Sequence, residues 1–405
     1  MAVTTKLRRR LKLVAFVVLA GWLALFSASE AAVAFLRGTA PVQALALDGN
    51  DARAAANLFE QRLAAGRGTK RLAPKGRQQL LASLRSNPLS RKALRVLAYD
   101  SDIGGDRTAA RKFMTLSARV SRRDFPAQVW LIQDSGRQKD FVAIINHYDA
   151  ALSTQSQSYA FLFPPMTAGL DFPQFRRAMV PLIKADRRWV PSYISHIISN
   201  APRTQPVAAL IAEATPFKGS AQLDSMLTNI IDRYVAEGAA EAAQDFAIKV
   251  LGAAPDQFSV AGFTGPTTDP RFAPMTWSLT ADSAVEADLM EDGGVEVHAA
   301  SDDWMLAASR IFAARPGTYH FKQTVSYPQG QPAAVSRWEG YCLNGTGQGR
   351  IWLHDTPVSD GVTASEADLA LPAGCTGLRL EFYARGNGHS EDAVINLRDI
   401  SIARK

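Results

Sequence analysis

The pattern of hydrophobic and polar positions divides the chain into three parts. An uncharged apolar run, Leu13–Phe26, is soon followed by a second apolar stretch, Ala31–Leu36. Between about residues 45 and 255, apolar residues recur at the three- and four-residue spacing of amphipathic helices. From Phe263 to Lys405, short strand-like runs alternate with turns rich in Gly, Pro, Asp and Thr. The pattern predicts a membrane or signal segment, a helical domain (45–255) and a β domain (263–405).

The first part is typical of a membrane-directing segment. Residues 1–12 form a basic tail, and residues 13–36 are uncharged except for Glu30. A helix over residues 11–36 would be ~39 Å long and could cross the ~30 Å hydrocarbon core, whereas Leu13–Phe26 alone would reach only ~21 Å. We expect residues 13–36 to be an uncleaved single-pass anchor of a bacterial inner membrane, with a cytoplasmic tail and a periplasmic bulk. The alternative is a signal segment that is cleaved before secretion.

The middle part is predicted to be an α-solenoid of paired helices with short connectors. Its first helices are predicted at Asp51–Leu63, Lys75–Leu84, Leu89–Tyr99, Asp106–Val120, Pro126–Gln133 and Asp140–Leu152. Helix pairs of ~34 residues bury their apolar faces only against neighbouring pairs, which produces a stacked array.

One stretch of this array carries a family resemblance. Leu94-x-x-Leu97-Ala98, followed by Ala110, Met114 and Ser117, resembles a degenerate tetratricopeptide unit. The resemblance covers about residues 45–155 and implies a scaffold that binds envelope protein partners.

The last part is predicted to be an antiparallel β-sandwich of the jelly-roll type, because nine or ten short strands fall within about 140 residues. The predicted strands are Met275–Thr280, Val285–Met290, Gly294–His298, Met305–Phe312, Gly317–Val325, Ala334–Leu343, Arg350–Asp355, Ser365–Leu371, Gly377–Ala384 and Ala393–Ile402. The fold class is therefore multidomain α plus β.

Four motifs of this domain resemble carbohydrate-binding modules and galactose-binding-like jelly rolls. They are Pro274-Met-Thr-Trp-Ser278, Arg315-Pro-Gly-Thr-Tyr-His-Phe321, Leu378-Arg-Leu-Glu-Phe382 and Ala393–Ile402. The resemblance implies a polysaccharide ligand. Because this fold also serves as a plain structural module, it does not identify a sugar.

Sugar recognition requires aromatic rings with hydrogen-bonding groups beside them, since sugar faces carry C–H groups and their edges carry hydroxyls. The candidate carbohydrate-binding residues are Trp304, Trp338, Tyr341, Trp352 and Tyr383, with Tyr327 as a further candidate. The neighbouring polar candidates are Asp302, Asp303, Glu339, Arg350 and Asn387.

Cysteine content and charge refine this picture. Cys342 and Cys375 are the two cysteines of the chain, and both lie in the β domain, so they are candidates for one disulfide in an oxidising compartment. The net charge of +7 does not indicate nucleic-acid binding. From Phe263 onward the chain holds 11 Lys and Arg against 18 Asp and Glu, and the basic excess lies upstream, partly in the tail.

No catalytic motif is present. The six histidines are scattered, and the sequence contains no metalloprotease, nucleophile-elbow, P-loop or dinucleotide-binding pattern. We therefore expect no cofactor, no metal and no catalytic residue.

The leading hypothesis is a non-catalytic, membrane-anchored periplasmic scaffold in envelope or exopolysaccharide assembly or export. One alternative is an envelope glycan hydrolase or lyase whose acids lie in the helical domain, where Asp171, Asp186, Glu213 and Asp224 are available. A second alternative is a purely structural assembly or division scaffold.

Overall fold

A computed structural model describes residues 2–65, 71–215, 221–259, 262–291, 293–328, 333–344, 349–356, 358, 361–386 and 393–405. It forms two compact units, Met1–Leu162 and Phe163–Lys405. The described chain contains helices followed by antiparallel β-sheets, as the sequence predicts. The boundary between the units falls inside the predicted helical domain, so the second unit combines helices with the β-sandwich.

The chain begins with a single long helix, α1 (Ala2–Thr39). Its part from Leu13 to Thr39 is 27 residues long and has a mean hydropathy of 1.9; its most apolar stretch is not buried against the rest of the protein, whereas Val33 is buried. By length and composition this part can cross a membrane, and a signal sequence would meet the same criteria. The helix continues through Glu30, so the two apolar stretches of the sequence form one segment.

Short helices make up the rest of the first unit, and consecutive helices pack against one another. They are α2 (Pro41–Leu47), α3 (Ala52–Ala64), α4 (Pro74–Ser86), α5 (Arg91–Ile103), α6 (Arg107–Val120), α7 (Phe125–Gln138), α8 (Phe141–Leu152) and the start of α9 (Tyr159–Gly169). Each predicted helix of this unit matches an observed one, with ends that differ by at most five residues.

A set of contacts recurs in this unit after 34 residues. Arg77 on α4 bonds Asp100 on α5, and Arg111 on α6 bonds Asp134 on α7 with an Nε–Oδ2 distance of 2.6 Å. Both the arginines and the aspartates are 34 positions apart. Other buried or capping positions recur with the same spacing: Ala93 and Ala127, Leu97 and Leu131, Ser101 and Ser135, and the helix-capping Asp106 and Asp140. Two successive helix pairs therefore share one internal architecture.

The second unit begins with the remaining helices: the end of α9, then α10 (Pro173–Lys184), α11 (Val190–Asn200), α12 (Thr204–Ala214), α13 (Ala221–Ala236) and α14 (Ala240–Lys249). Their buried side chains include Trp189 and Tyr193, which form an edge-to-face pair with ring centroids 5.9 Å apart. These helices lead through short 3₁₀ turns into the β-sandwich.

The β-sandwich consists of two sheets in which all pairings between the strands are antiparallel. Its strands are β1 (Ser278–Leu279), β2 (Ala281–Asp282), β3 (Val285–Leu289), β4 (Val295–Ala299), β5 (Met305–Phe312), β6 (Gly317–Ser326), β7 (Val335–Leu343), β8 (Arg350–Asp355), β9 (Thr363–Leu371), β10 (Gly377–Arg385) and β11 (Ala393–Arg404). The five-stranded sheet has the order β1-β5-β10-β7-β8, and the six-stranded sheet has the order β2-β3-β4-β11-β6-β9.

Aromatic side chains fill the space between the two sheets. Trp277, Trp338, Phe321 and Phe382 are almost completely buried there, and their rings meet at centroid distances of 4.9 to 5.8 Å. Burial of such large side chains supplies most of the stabilising free energy of a domain of this size.

A buried arginine fastens the segment before the sandwich to the five-stranded sheet. Arg310 on β5 is 1% exposed, and its guanidinium donates to the backbone carbonyls of Met275, Ser259 and Gln257 at 2.8 to 3.1 Å. Burial lowers the pKa of Arg310 to about 9. The three carbonyls therefore take the place of the carboxylate that usually accompanies a buried arginine.

The disulfide predicted from the sequence is confirmed. Cys342 and Cys375 are bonded, with a Cα–Cα distance of 5.5 Å. The next residue, Thr376, donates from its hydroxyl to the carbonyls of Gly238, in the turn between α13 and α14, and of Leu343. A Cβ at Gly377 would lie 2.9 Å from the Cβ of Ala240, so only glycine permits this close approach of helix and strand. The disulfide thus braces the point where helices and sandwich meet within the second unit.

Candidate functional site

The candidate site is the outer face of the five-stranded sheet, across its central strands β7 and β10. Side chains of a strand alternate between the two faces of a sheet. On β7, Trp338, Gly340 and Cys342 face the core, and the residues between them face outward. On β10, Leu380, Phe382 and Ala384 face the core. The outward residues are Arg337, Glu339 and Tyr341 on β7 and Arg379, Glu381, Tyr383 and Arg385 on β10.

The two strands carry the same motif, Arg-x-Glu-x-Tyr, and they run in opposite directions. Their register places Glu339 directly opposite Glu381. Arg337 is then opposite Tyr383, and Tyr341 is opposite Arg379. The arginine of each motif thus lies opposite the tyrosine of the other motif, so the two motifs are related by a local two-fold axis. We call this set of outward side chains, with Trp304, Arg350 and Arg385, the twin-motif face.

On β7 the carboxylate of Glu339 collects three donors. The Tyr341 hydroxyl donates to Oε2 at 2.5 Å. The guanidinium groups of Arg337 and Arg350 lie 2.7 and 3.2 Å from Oε1. Glu339 is only 3% exposed, so these charge-assisted contacts replace its hydration.

On β10 the carboxylate of Glu381 accepts one hydrogen bond and forms one ion pair. The Tyr383 hydroxyl donates to Oε2 at 2.8 Å, and Nε of Arg379 lies 3.0 Å from Oε1. Glu381 is 7% exposed. Both carboxylates of the twin-motif face therefore serve as anchors beneath an outer layer of arginine and tyrosine side chains.

The arginines of this face also lie over aromatic rings. The Arg379 guanidinium is 4.7 Å from the ring centroid of Tyr341, and that of Arg337 is 5.8 Å from the ring of Tyr383. Such cation–π contacts fix the plane of a guanidinium and leave its other N–H groups able to donate.

Trp304, which precedes β5, lies at the end of the face that carries Arg337 and Arg385. Its ring centroid lies 4.2 Å from the guanidinium of Arg337 and 4.8 Å from that of Arg385. The backbone N–H of Gly386 donates to the carbonyl of Ser301 at 2.6 Å, which ties the end of β10 to the turn before Trp304.

Both tyrosine hydroxyls of the face are held as donors. Burial raises the pKa of Tyr341, and the hydrogen bond to the Glu339 carboxylate raises it further. The pKa of Tyr383 is also raised, by burial and then by its hydrogen bond to Glu381. Because a protonated phenol donates to an ionised carboxylate, the face keeps one fixed pattern of donors and acceptors around neutral pH.

Three of the five aromatic candidates, Trp304, Tyr341 and Tyr383, are brought together on the twin-motif face. The prediction for Trp338 is wrong, because its side chain is fully buried and its indole N–H donates to Gln323 at 2.8 Å inside the core. Trp352 pairs in register with core-facing Gly340 and packs on Phe321, so it also lies on the other side of the sheet.

The remaining candidates divide in the same way. Glu339 and Arg350 belong to the twin-motif face, and Asp302 and Asp303 are exposed in the turn before Trp304. Tyr327 is partly buried against the core, where burial raises its pKa to about 12. Asn387 lies outside the described residues.

Sequence reasoning missed Arg337, Arg379, Glu381 and Arg385. A signal for them exists, because both strands repeat Arg-x-Glu-x-Tyr with the period of two that places its members on one side of a sheet. The predicted site was based on single aromatic residues and did not use the alternating pattern of the residues around them.

Within the described ranges, no group of three or more His, Cys, Asp or Glu side chains is placed to hold a metal ion. The twin-motif face itself presents hydrogen bonding and charge from arginine, with aromatic surface beside it.

No family model matches the sequence, and no curated protein matches it. Several of the solved structures that are similar to part of the chain are carbohydrate-binding modules. One described as "CBM4 structure and function" is 12% identical with a TM-score of 0.23, covering 30% of this chain and 89% of that chain. The galactotriose complex of TmCBM61 is 12% identical with a TM-score of 0.24, covering 32% and 88% of the two chains. The CBM22-1 xylan-binding domain of Paenibacillus barcinonensis Xyn10C is 11% identical with a TM-score of 0.24, covering 32% and 85%. At these values the likeness assigns no ligand to the chain.

Proposed function

We propose that this protein is a non-catalytic, membrane-anchored scaffold of the periplasm that binds a glycan through its β-sandwich, in envelope or exopolysaccharide assembly or export. The observation that carries the proposal is the twin-motif face, in which two central strands hold donors, acceptors and aromatic rings in a fixed pattern on one side of a sheet.

This pattern meets the requirements of a saccharide. Sugar hydroxyls need donors and acceptors at fixed positions; the anchored arginines supply donors, and the tyrosine hydroxyl oxygens can accept. The rings of Tyr341, Tyr383 and Trp304 provide apolar surface for sugar C–H groups. All three side chains are partly exposed. A sheet face of this kind suits a polymer chain better than a small molecule, since it encloses no ligand.

Binding without cleavage is favoured by the state of the two carboxylates. A glycosidase needs one carboxylic acid that can give up a proton and a second carboxylate that is free to act. Glu339 and Glu381 both accept hydrogen bonds from tyrosine and contact arginine, so neither is available as an acid.

The hydrolase or lyase remains the alternative proposal, with its acids in the helices. Asp171 lies 2.6 Å from Arg203, and Glu213 lies 3.3 Å from Arg176. Both acids are thus paired with arginine, as Glu339 and Glu381 are, so these contacts do not favour the alternative over binding. Incubation of the full-length chain with the glycan would reveal it through new unsaturated or reducing ends.

The helical repeats are proposed to bind a protein partner, as tetratricopeptide-like arrays do. An apolar groove of about 510 Å³ between α4, α5 and α6 is lined by Leu84, Leu89, Phe113, Leu116 and Val120, among others. Three exposed arginines on these helices, Arg85, Arg91 and Arg119, form no ion pair in the described part of the chain. Apolar surface with a basic rim fits an acidic amphipathic helix.

In the alternative proposal, a purely structural assembly or division scaffold, the β-sandwich binds no glycan and the protein binds only other proteins. Crosslinking of the full-length protein in membranes should capture a partner whose binding segment is acidic and helical. Leu89→Asp should abolish that capture, whereas Val142→Asp, an equally exposed position on α8, should not.

The glycan part is tested by native affinity electrophoresis of the full-length chain in detergent, in gels that contain polysaccharide from the producing cell. We expect retardation of the wild type, and at least tenfold weaker retardation for Tyr341→Ala and Trp304→Ala, on the scale of one or two lost stacking and hydrogen-bond contacts. His320→Ala, on the outer side of the six-stranded sheet, is the matched control. The assignment of the site would be disproved if the control lost its retardation, or if the face variants were retarded as strongly as the wild type.

A further inference from the structure

One arginine of the twin-motif face differs from the other three. Arg337 and Arg350 contact Glu339, and Arg379 contacts Glu381. Within the described residues Arg385 forms no ion pair with a carboxylate, whereas the lack of a hydrogen-bond partner at its Nε is shared with Arg337 and Arg379. A guanidinium that is partly buried without an anion represents a cost, unless a ligand supplies the anion.

The position of Arg385 is nevertheless well defined. Its guanidinium lies 4.8 Å from the centroid of the Trp304 ring, next to that of Arg337. The Gly386–Ser301 backbone hydrogen bond fixes the strand end that carries it. A cation held in place beside an aromatic ring is prepared to receive a planar anion, because the bidentate geometry of arginine matches a carboxylate.

Charge around the face comes from both signs. The β domain is acidic, with 11 Lys and Arg against 18 Asp and Glu from Phe263 onward, and four of those arginines lie together on the twin-motif face. Five carboxylates lie on or beside it: Glu339 and Glu381 beneath the arginines, Asp355 at the end of β8, and Asp302 and Asp303 in the turn before Trp304. The face therefore has no net positive charge, and an anion would be held there by Arg385, which has no carboxylate partner within the described residues, rather than by a basic surface.

The aromatic rings of this face lead to the same conclusion. The rings of Trp304 and Tyr341 already have guanidinium groups over them at 4.2 to 4.8 Å. A neutral sugar that stacked on the part of a ring covered by a guanidinium would have to displace that cation. A sugar with an acidic group can instead place that group against the cation and keep the stack.

We infer that the ligand of the twin-motif face is an acidic glycan, and that Arg385 beside Trp304 binds a carboxylate of that glycan. This inference rests on the proposed glycan-binding function and adds the substrate class and the residue that selects it.

The test uses the full-length chain in detergent and pairs of polymers that differ in charge alone. Polygalacturonate, alginate and hyaluronan are each compared with the same polymer after chemical reduction of its carboxylates to alcohols, by affinity electrophoresis. We expect at least one acidic polymer to retard the chain about tenfold more strongly than its reduced form, the size of one charge-assisted hydrogen-bond pair.

Variants then show whether Arg385 is responsible for the preference for the acidic polymer. Arg385→Gln should abolish the preference for the acidic form and reduce the salt dependence of binding, whereas Arg385→Lys should keep part of both. Lys322→Gln, an exposed cation on the outer side of the six-stranded sheet, should leave both unchanged. Thermal unfolding of each variant shows whether it is folded.

Two results would overturn the inference, and they are distinguishable. Equal retardation by the acidic and the reduced form in every pair that retards the chain would reject the acidic ligand and leave glycan binding in place. Retardation by no polymer of either kind would reject the proposed function and the inference together.

Discussion

Glu339 and Glu381 occupy directly opposite positions on two neighbouring strands, and both are buried. Two like charges in this arrangement repel each other, so the pair requires the cations and hydroxyls that surround it. Glu339 contacts three such donors and Glu381 contacts two. The glutamates therefore organise the outer layer of the twin-motif face.

This difference predicts an order of stability among variants. Glu339→Gln should lower the free energy of unfolding by about 1–3 kcal/mol, and by more than Glu381→Gln does, because more donors lose a charged acceptor. Urea denaturation of the full-length chain, monitored by tryptophan fluorescence, measures both. An increase in stability for either variant would show that repulsion between the glutamates dominates.

Trp304 and Arg385 should act as one unit in binding. If Trp304 contributes by holding the Arg385 guanidinium, then Trp304→Ala and Arg385→Gln each weaken binding of the acidic polymer, and the double variant is little worse than either one. A double-mutant cycle should give a coupling of about 0.5–2 kcal/mol. Strict additivity of the two effects would mean that the ring contacts the ligand independently.

Arg310 should be essential for the stability of the second unit. Arg310→Met leaves the carbonyls of Met275, Ser259 and Gln257 without donors, which should cost about 3 kcal/mol. Arg315→Met is the control, since Arg315 is 74% exposed, and it should change stability by less than ~0.5 kcal/mol. Chemical denaturation followed by near-UV circular dichroism reports on this unit through Trp277. Equal effects of the two changes would contradict the role of Arg310.

Arg310 also predicts the direction in which the free energy of unfolding changes with pH. Burial lowers the pKa of Arg310 to about 9, whereas an arginine in the unfolded chain keeps its ordinary, higher pKa. Above pH of about 9 the unfolded chain therefore binds more protons than the folded chain, and stability rises with pH. The wild type should regain stability relative to Arg310→Met as the pH rises above that value.

The disulfide should contribute strongly to the sandwich. Its cysteines are 33 residues apart, and a loop of that length gives about 3–4 kcal/mol of stabilisation in the chain-entropy description. Replacement of both cysteines by serine should lower the unfolding midpoint, and reduction of the wild type should produce the same shift. A midpoint that does not respond to the reductant would show that the bond does not stabilise the fold.

The recurring ion pairs of the first unit predict similar effects at equivalent positions. Asp100→Asn and Asp134→Asn should each cost about 1–2 kcal/mol, reduced from the value of a fully buried pair because their arginine partners are partly exposed, with Asp100→Asn at the upper end because Asp100 also accepts from the Leu72 backbone N–H and lies near Arg71. Asp245→Asn, in an exposed pair with Lys249, should cost less than ~0.5 kcal/mol. A large difference between Asp100 and Asp134 would argue against a structural repeat.

Much of the architecture was predictable from the sequence because it depends on local periodicity. The change from helical to alternating patterns located the sandwich, and all ten predicted strands correspond to observed ones. The short strand β2 escaped prediction, since a two-residue pairing leaves no pattern. The disulfide followed from the isolation of two cysteines in one domain.

The site was only partly predictable. Trp338 and Tyr341 are three positions apart on one strand, so their side chains must point to opposite sides of the sheet. Sequence alone does not show which side is covered by the second sheet. The pairing of Glu339 with Glu381 depends on a register between strands that are about 40 residues apart in the sequence, and that register follows only from the folded domain.

Arginine footprinting tests the central claim most directly. The full-length chain is treated with phenylglyoxal with and without polysaccharide from the producing cell, and each modified arginine is quantified by mass spectrometry. Arg350, Arg379 and Arg385 on the twin-motif face should be protected by the glycan, whereas Arg271 and Arg315, which are 70% and 74% exposed elsewhere on the second unit, should react equally in both samples. Protection of Arg271 and Arg315, or unchanged reactivity at Arg385, would contradict the account.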